Sequence, residues 1–254
     1  MGLGLFQFLG MGILVEKFIT ITETDGKYLY KFDPNFGYYL LAATIAVAIF
    51  SYFIGSLNGA KIVSKLVYHD DVSLHGSKNA GMTNMARVYG KKGAILTTAI
   101  DMLKTILCVF VGCLLGNITF LPYVAGLCCM IGHSFPVYFK FKGGKGILVG
   151  ASVMLCTSIP TFVLSLMIFG ILVAFTKYVS VGSIIASLMY PFVLNRMNAI
   201  FYNYPISFQF AEMFAFVMAC VTIFLHRENI KRLGKGTENK IGKKKVKEDL
   251  QSGN

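Results

Sequence analysis

Tryptophan is absent from this chain of 254 residues, and only 14% of its residues are charged. Soluble domains carry roughly 25% charged residues. With 55% hydrophobic residues and a mean hydropathy of +0.64, the composition excludes an ordinary soluble domain and places the chain in the membrane class. Without Trp, any aromatic belt at the bilayer surface falls to Tyr and Phe, and Tyr38, Tyr39 and Tyr178 are placed for it. The six cysteines all lie in apolar runs and none has a C-x-x-C spacing. They read as small buried hydrophobes, with no disulfide or metal site expected. Acidic residues are scarce, 12 against 24 Lys and Arg. The resulting charge of +12 does not point to nucleic acid, because the cations flank hydrophobic spans. No G-x-x-x-x-G-K-[ST] phosphate loop is present.

Uncharged stretches cover 34–60, 105–139, 146–176 and 178–195, and an apolar stretch over about 206–226 contains only Glu212, whose role the sequence leaves open. A helix is expected near 38–60. The block 93–139 is too long for one crossing and breaks at Gly116–Pro122, giving helices near 93–115 and 120–139. The stretch 146–176 reads either as one helix or as a hairpin turning at Ser158-Ile159-Pro160, with arms of about 13 to 16 residues.

Charge favours the hairpin. With the hairpin, Lys104 lies within a span and only Lys17, Lys27, Lys31 and Arg196 fall on one face. Every other Lys and Arg falls on the opposite face, which the positive-inside rule makes cytoplasmic. The expected fold is therefore an all-α integral membrane protein of about seven transmembrane helices. Its amino end is outside and its carboxyl end cytoplasmic. Residues 1–37 read as an amino-terminal extension, 38–240 as the membrane domain and 241–254 as a basic cytoplasmic tail. Residues 1–15 lack the basic flank of a signal peptide and are short for a span, so an interfacial or re-entrant segment is expected. Lys243–Lys247 suits contact with an anionic lipid surface.

Three polar segments interrupt the apolar chain: Gly76–Arg87, Gly132–Gly146 and His226–Lys240. All fall on the cytoplasmic side of the seven-helix reading, and each combines small residues, amide donors and cations, the chemistry that holds phosphate against a bilayer. In the first, Ser77, Asn79, Thr83 and Asn84 offer donors, Gly81 permits close backbone approach, and Arg87 supplies a planar cation. The second sets His133 before Phe135-Pro136, with Lys142 and Lys145 flanking Gly143 and Gly144. The third contributes Asn229, Arg232 and Glu238, the last placed to position a cation or orient a substrate hydroxyl. Arg is rare (4, against 20 Lys), yet Arg87, Arg227 and Arg232 all fall in the first and third segments. Asp101 and Lys104, three apart inside a span, share a helix face. They either line a polar site or pair with each other.

These segments resemble the three signature blocks of the bacterial acyl-phosphate:glycerol-3-phosphate acyltransferase family, typically G-S-G-N-x-G-A-T-N-x-x-R, then G-H-x-F-P-x-F-x-x-F-K-G-G-K-G, then N-I-x-R-L-x-x-G-x-E. The chain keeps Ser77, Asn79, Gly81, Thr83, Asn84 and Arg87 of the first. It keeps almost all of the second, and Asn229, Arg232, Gly236 and Glu238 of the third. It departs at Lys78 and Met82, where Gly and Ala are usual. The resemblance runs over about residues 38–240.

It implies transfer of a fatty acyl group from acyl phosphate to the sn-1 hydroxyl of glycerol 3-phosphate at the cell membrane. The products are lysophosphatidate and inorganic phosphate, no cofactor is needed, and function is coupled to an enzyme that makes acyl phosphate. Ser77, Asn79 and His133 become the expected catalytic residues. Gly81, Thr83, Asn84, Arg87, Lys104, Lys142, Gly143, Gly144, Lys145, Asn229, Arg232 and Glu238 become the expected substrate-binding ones. The H-x-x-x-x-D pattern of acyl-CoA-dependent relatives is absent. The positions five after the four histidines are Leu74, Ala80, Tyr138 and Lys231. The hydroxyl proton therefore goes to a substrate phosphate or to His133. The reading of a different class is a membrane transporter of phosphorylated metabolites, which needs a polar route across the bilayer; a lipid-binding scaffold is a third.

Overall fold

In the computed structural model, residues 17, 19–24, 27–116, 120–201 and 207–241 are described. The expectations for residues 1–15 and for Lys243–Lys247 fall outside them. A two-stranded antiparallel hairpin, β1 (Ile19–Thr24) and β2 (Lys27–Phe32), pairs Ile19 with Phe32 and Thr24 with Lys27. It occupies part of the expected extension, for which the sequence offered no strand. Helices follow: α1 (Phe36–Gly55), α2 (Gly59–Tyr68), α3 (Met82–Gly116), α4 (Leu121–Ser134), α5 (Ile147–Thr157), α6 (Ile159–Thr176), α7 (Val179–Phe201), α8 (Ser207–Leu225) and α9 (Arg227–Gly234).

Among the described residues, four helical stretches are long and apolar enough to cross a membrane (36–68, 82–116, 159–176 and 179–201), and a fifth if the bent pair α8 and α9 is one span. α4 and α5 are apolar but shorter, at 14 and 11 residues. α5 rises only about 16 Å.

Close backbone packing starts at α1 and α4. A Cβ on Gly55 would lie 2.3 Å from the Cys129 carbonyl oxygen, and one on Gly132 would lie 2.2 Å from that of Tyr52. Only glycine permits this approach, the device by which apolar helices pack where no hydrophobic force separates protein from lipid. Around the contact, Val47, Cys108, Cys129, Met130, Val149 and Val153 form the buried core. α3 contains a break: Gly90 takes φ 73°, ψ −165°, which separates about two turns carrying Asn84 and Arg87 from the apolar remainder.

The chain leaves helical geometry at Ser158, whose hydroxyl shares a 2.8 Å hydrogen bond with that of Thr161. Pro160 sits in the first turn of α6, where its missing N–H costs nothing. The start of α5 and the end of α6 lie at the same end of the molecule. Lys145 bonds Asn229, Asn229 bonds Glu238, and Glu238 accepts from Ser180, while Ile241 donates to the carbonyl of Lys177. A chain returning to its own level over 147–176 has reversed, and Ser158 is the reversal. The arms are unequal, 11 and 18 residues rather than 13 to 16, because the turn follows the position of Pro160 rather than the midpoint.

Candidate functional site

The first polar segment is held by a side-chain clip. Asn84 donates through Nδ2 to the carbonyls of Val72 (3.1 Å) and His75 (3.0 Å), and its Oδ1 accepts from the backbone of Ser77 (2.9 Å) and from Arg87 Nη1 (3.4 Å). Its polar atoms are engaged with the protein, so Asn84 shapes the loop, in addition to lining the cavity described below. The loop's outer flank is tied by Lys61, which donates to Asp71 at 2.8 Å and to the Ser73 hydroxyl at 2.7 Å. Burial, the largest single influence, opposes the charge on Asp71, but Lys61 together with the Ser73 N–H and hydroxyl outweighs it and holds the carboxyl at about 2.

Lys78 adopts φ 57°, the left-handed region that costs most residues about 1–2 kcal/mol and glycine little. This is the position where the resembled pattern has Gly. Lys78 is exposed, and Lys78→Gly is expected to stabilise the fold by roughly 0.5–1 kcal/mol after glycine's greater unfolded entropy is deducted. Thermal unfolding in detergent checks this; an unchanged or lower midpoint would count against a strained Lys78.

In the second segment the glycines play a different part from the one expected. The N–H groups of Gly143 and Gly144 are spent on the carbonyls of Ser134 and His133, both at 3.2 Å. A Cβ on Gly143 would lie 2.0 Å from the His133 carbonyl oxygen, and one on Gly144 2.2 Å from His133 Nε2. The pair packs the loop onto His133 instead of donating to a ligand. Lys142 is exposed and does not line the cavity.

Lys104 is also displaced from the expected role. It is buried, 6% exposed, and its Nζ contacts the carbonyls of Gly55 (2.9 Å) and Leu57 (2.8 Å), Asp101 Oδ1 (2.8 Å) and His133 Nδ1 (3.0 Å). Asp101 Oδ1 also accepts from the Gly59 backbone at 3.0 Å. Of the two readings open for Asp101 and Lys104, both hold for Asp101, which pairs and lines the cavity. Lys104 only pairs.

Lys145 does reach the third segment, where it donates to Asn229 Oδ1. There Glu238 organises the geometry. It accepts from Asn229 Nδ2 (2.6 Å) and Ser180 (2.9 Å) on one oxygen and from Arg232 Nε (2.7 Å) on the other. Burial disfavours its charge, but these three donors prevail and keep the carboxyl below its ordinary range. Burial lowers the Lys145 ammonium to about 8, with Arg232 and Arg87 pushing the same way against the pull of Glu238. Three cations from three segments thus share one field.

They lie at one end of a cavity of about 330 Å³. Ser77, Asn79, Gly81, Thr83, Asn84, Arg87, His133, Lys145, Asn229, Arg232 and Glu238 all line it. So do Leu148, Met154, Phe162, Phe169, Tyr190 and Met218, which extend it as an apolar channel between α5, α6, α7 and α8. The site is amphipathic, with a cationic, donor-rich mouth and a hydrocarbon interior.

Sequence reasoning missed Ser180, a lone serine after an apolar run with no local signal. It also missed Asn58, whose side chain accepts from Lys61 N (3.0 Å) and donates to the carbonyls of Ala80 (3.3 Å) and His133 (3.4 Å), linking the first two segments. Its signal was available: a buried-helix break reading Gly-Ser-Leu-Asn-Gly, with Asn at an N-cap.

Residues 45–236 match the family model described as glycerol-3-phosphate acyltransferase. A relative of that name from Thermoanaerobacter sp. (strain X514) is 41% identical over 201 residues, covering 79% of this chain and 96% of the relative. Another from Finegoldia magna is 40% identical over 202 residues, covering 78% and 96%. The crystal structure of PlsY, an integral membrane glycerol 3-phosphate acyltransferase, in its glycerol 3-phosphate form superposes with a TM-score of 0.71 at 30% identity, covering 79% of this chain and 96% of that one. Its lysophosphatidic acid form gives 0.69.

Proposed function

The chain belongs to the glycerol-3-phosphate acyltransferase family, and on that premise we propose that it transfers a fatty acyl group from acyl phosphate to the sn-1 hydroxyl of glycerol 3-phosphate, yielding lysophosphatidate and inorganic phosphate. The observation that carries this is the cavity itself, because cations from all three segments meet at the mouth of an apolar channel. Acyl phosphate joins a phosphate to a hydrocarbon tail and needs both environments in one site. Each phosphate carries up to about two negative charges. Arg87, Lys145 and Arg232 supply the countercharge, and Ser77, Asn79 and Thr83 supply donors.

The glycerol hydroxyl oxygen attacks the acyl carbonyl carbon, and the same donors stabilise the oxyanion that forms. The bond from carbonyl carbon to phosphate oxygen then breaks. Phosphate leaves with the electron pair and takes up the hydroxyl proton. The good leaving group lets positioning supply much of the rate. The three segments lie on the cytoplasmic face of the cell membrane in this reading, supported by the Lys and Arg at that end. The helices α1, α3, α4, α5, α6, α7 and α8 make the seven crossings. Residues 38–240 are the catalytic unit, with 1–37 an extension to it and 241–254 a basic tail. A partner enzyme that makes acyl phosphate supplies the donor.

A transporter reading has less support, since Arg87, Lys145 and Arg232 all come from the three polar segments, and beyond them the helical wall adds only Asp101, which is paired with Lys104, and hydroxyls such as Ser165, Ser183, Ser187 and Thr222 among apolar residues. Reconstituted vesicles given glycerol 3-phosphate outside and palmitoyl phosphate in the membrane separate the two. Lysophosphatidate formed without accumulation of glycerol 3-phosphate inside supports the transferase; uptake without product supports the transporter.

The lowered Lys145 adds a pH dependence. The ammonium is charged below about 8 and loses its charge as pH rises through that value. KM for the phosphate substrate that it holds is therefore expected to rise above about pH 8, with kcat changing less, and Lys145→Arg should flatten the rise. KM values for both substrates between about pH 7 and about pH 9 provide the check. Flat wild-type profiles would remove Lys145 from phosphate binding.

A further inference from the structure

His133 is the one imidazole in the wall of the cavity that comes from the second segment, and the role it can play depends on which ring nitrogen holds the proton. In a neutral imidazole one nitrogen donates and the other accepts, and the partner of the buried nitrogen decides which. A protonated Nδ1 paired with a carboxylate would leave Nε2 free to accept a proton, as a general base does. An Nδ1 that accepts a hydrogen bond forces the proton onto Nε2 and makes the ring a donor.

The contacts separate the two. His133 Nδ1 lies 3.0 Å from Lys104 Nζ and 3.4 Å from Asp101 Oδ1. An ammonium has protons and no lone pair, so it can approach Nδ1 this closely only if Nδ1 accepts. The longer distance to Asp101 is outside the usual N–H···O range of about 2.7–3.2 Å. Asp101 has no need of a histidine proton, because its Oδ1 already takes the Gly59 N–H at 3.0 Å and lies 2.8 Å from Lys104.

The ammonium is oriented for this task. Two of its three protons go to the carbonyls of Gly55 and Leu57, at 2.9 and 2.8 Å. The third is left for the side where Asp101 Oδ1 and His133 Nδ1 lie. Asp101 and Lys104 are 2% and 6% exposed, so this arrangement is shielded from solvent. A second proton on the ring would place another cation against the ammonium. His133 lines the cavity, and glycine at position 144 keeps a side chain off Nε2, since a Cβ there would sit 2.2 Å from it.

We infer that Lys104, held by Asp101, is a positioning residue that fixes His133 as the Nε2–H tautomer, so that His133 donates a hydrogen bond to the substrates and does not act as the general base. The inference deepens the transferase reading and rests on it for the identity of the acceptor, a phosphate oxygen or the developing oxyanion. It also leaves the departing phosphate as the destination of the hydroxyl proton, in place of His133.

Two measurements test it on the full-length purified protein. The first is the ¹⁵N spectrum of protein labelled at histidine, with the His133 signals identified by their loss in His133→Gln. The expected result at neutral pH is an unprotonated Nδ1 and a protonated Nε2. A protonated Nδ1, in a neutral or a charged ring, overturns the inference. The second compares His133→Gln with His133→Ala. The Gln amide offers an N–H close to the position of Nε2 and cannot take up a proton. It is expected to keep kcat within about tenfold of wild type, while Ala loses about 100- to 1,000-fold. Equal loss in both variants, each eluting as folded protein, overturns the donor role. Absence of lysophosphatidate from wild-type protein would instead sink the transferase reading and leave the tautomer result standing.

Discussion

Asp101→Ala is expected to cost about 3–5 kcal/mol of stability, the range found when one partner of a buried pair is removed. Asp101 is 2% exposed and is the carboxylate beside the Lys104 ammonium, which is itself 6% exposed. Its removal leaves that charge buried without compensation and strips the Gly59 N–H of its acceptor. Asp101→Asn keeps an acceptor for Gly59 and should lose less. The double variant Asp101→Ala, Lys104→Met removes both charges and should recover part of the loss, since the penalty of an unpaired ammonium disappears with it. Thermal unfolding in one detergent ranks the three. If the single Ala variant unfolds within a degree or two of wild type, the buried pair does not support the fold as described.

Arg87→Ala is expected to lower kcat/KM by about 100- to 1,000-fold. Arg87 enters the cavity from the polar part of α3 and is half-buried, with Nη1 near Asn84 Oδ1 at 3.4 Å. Its guanidinium leaves donors for a phosphate and shares the field of Arg232 and Glu238. Arg87→Lys keeps the charge but not the planar fork, so it should recover only a small part of the lost rate. The variant should fold, because the Asn84 contacts to Val72, His75 and Ser77 remain. Steady-state kinetics with each substrate varied in turn would measure the loss. A Lys variant as active as wild type would show that charge alone suffices at this position.

Much of the cavity lining is legible in the sequence because its chemistry is local. Ser77, Asn79, Thr83 and Arg87 lie within one loop and the turn that follows it, so one short segment reveals them together. The reversal at Ser158 was legible for two reasons: Ser158-Ile159-Pro160 reads as a turn, and the distribution of charge favours a hairpin there. The glycines were harder. A Gly-Gly pair between lysines looks like an anion cradle. Only the contact between Gly144 and His133 Nε2, eleven residues apart, shows that the missing side chains clear space for an imidazole.

Lys104 escaped for a related reason. Its helix-face relation to Asp101 was plain, but its other partners are the carbonyls of Gly55 and Leu57, on a different helix end. Ser180 meets Glu238 across 58 positions with no pattern at either end. Such contacts belong to the packing of α3 against the end of α1 and of α7 against the segment after α9, and no window along the chain contains them. The β1–β2 hairpin is the kind of element that long apolar runs do not reveal, because the alternation Ile19-Thr20-Ile21-Thr22 is short and half polar.

The central claim is that one cavity holds an acyl phosphate and glycerol 3-phosphate together. Its most direct test is a time course with purified protein, palmitoyl phosphate and sn-glycerol 3-phosphate, following inorganic phosphate and lysophosphatidate in the same samples. The expected result is one phosphate released per lysophosphatidate formed, both dependent on glycerol 3-phosphate, with no product when palmitoyl-CoA replaces palmitoyl phosphate. Product from palmitoyl-CoA, or phosphate release without lysophosphatidate by folded protein, would contradict it.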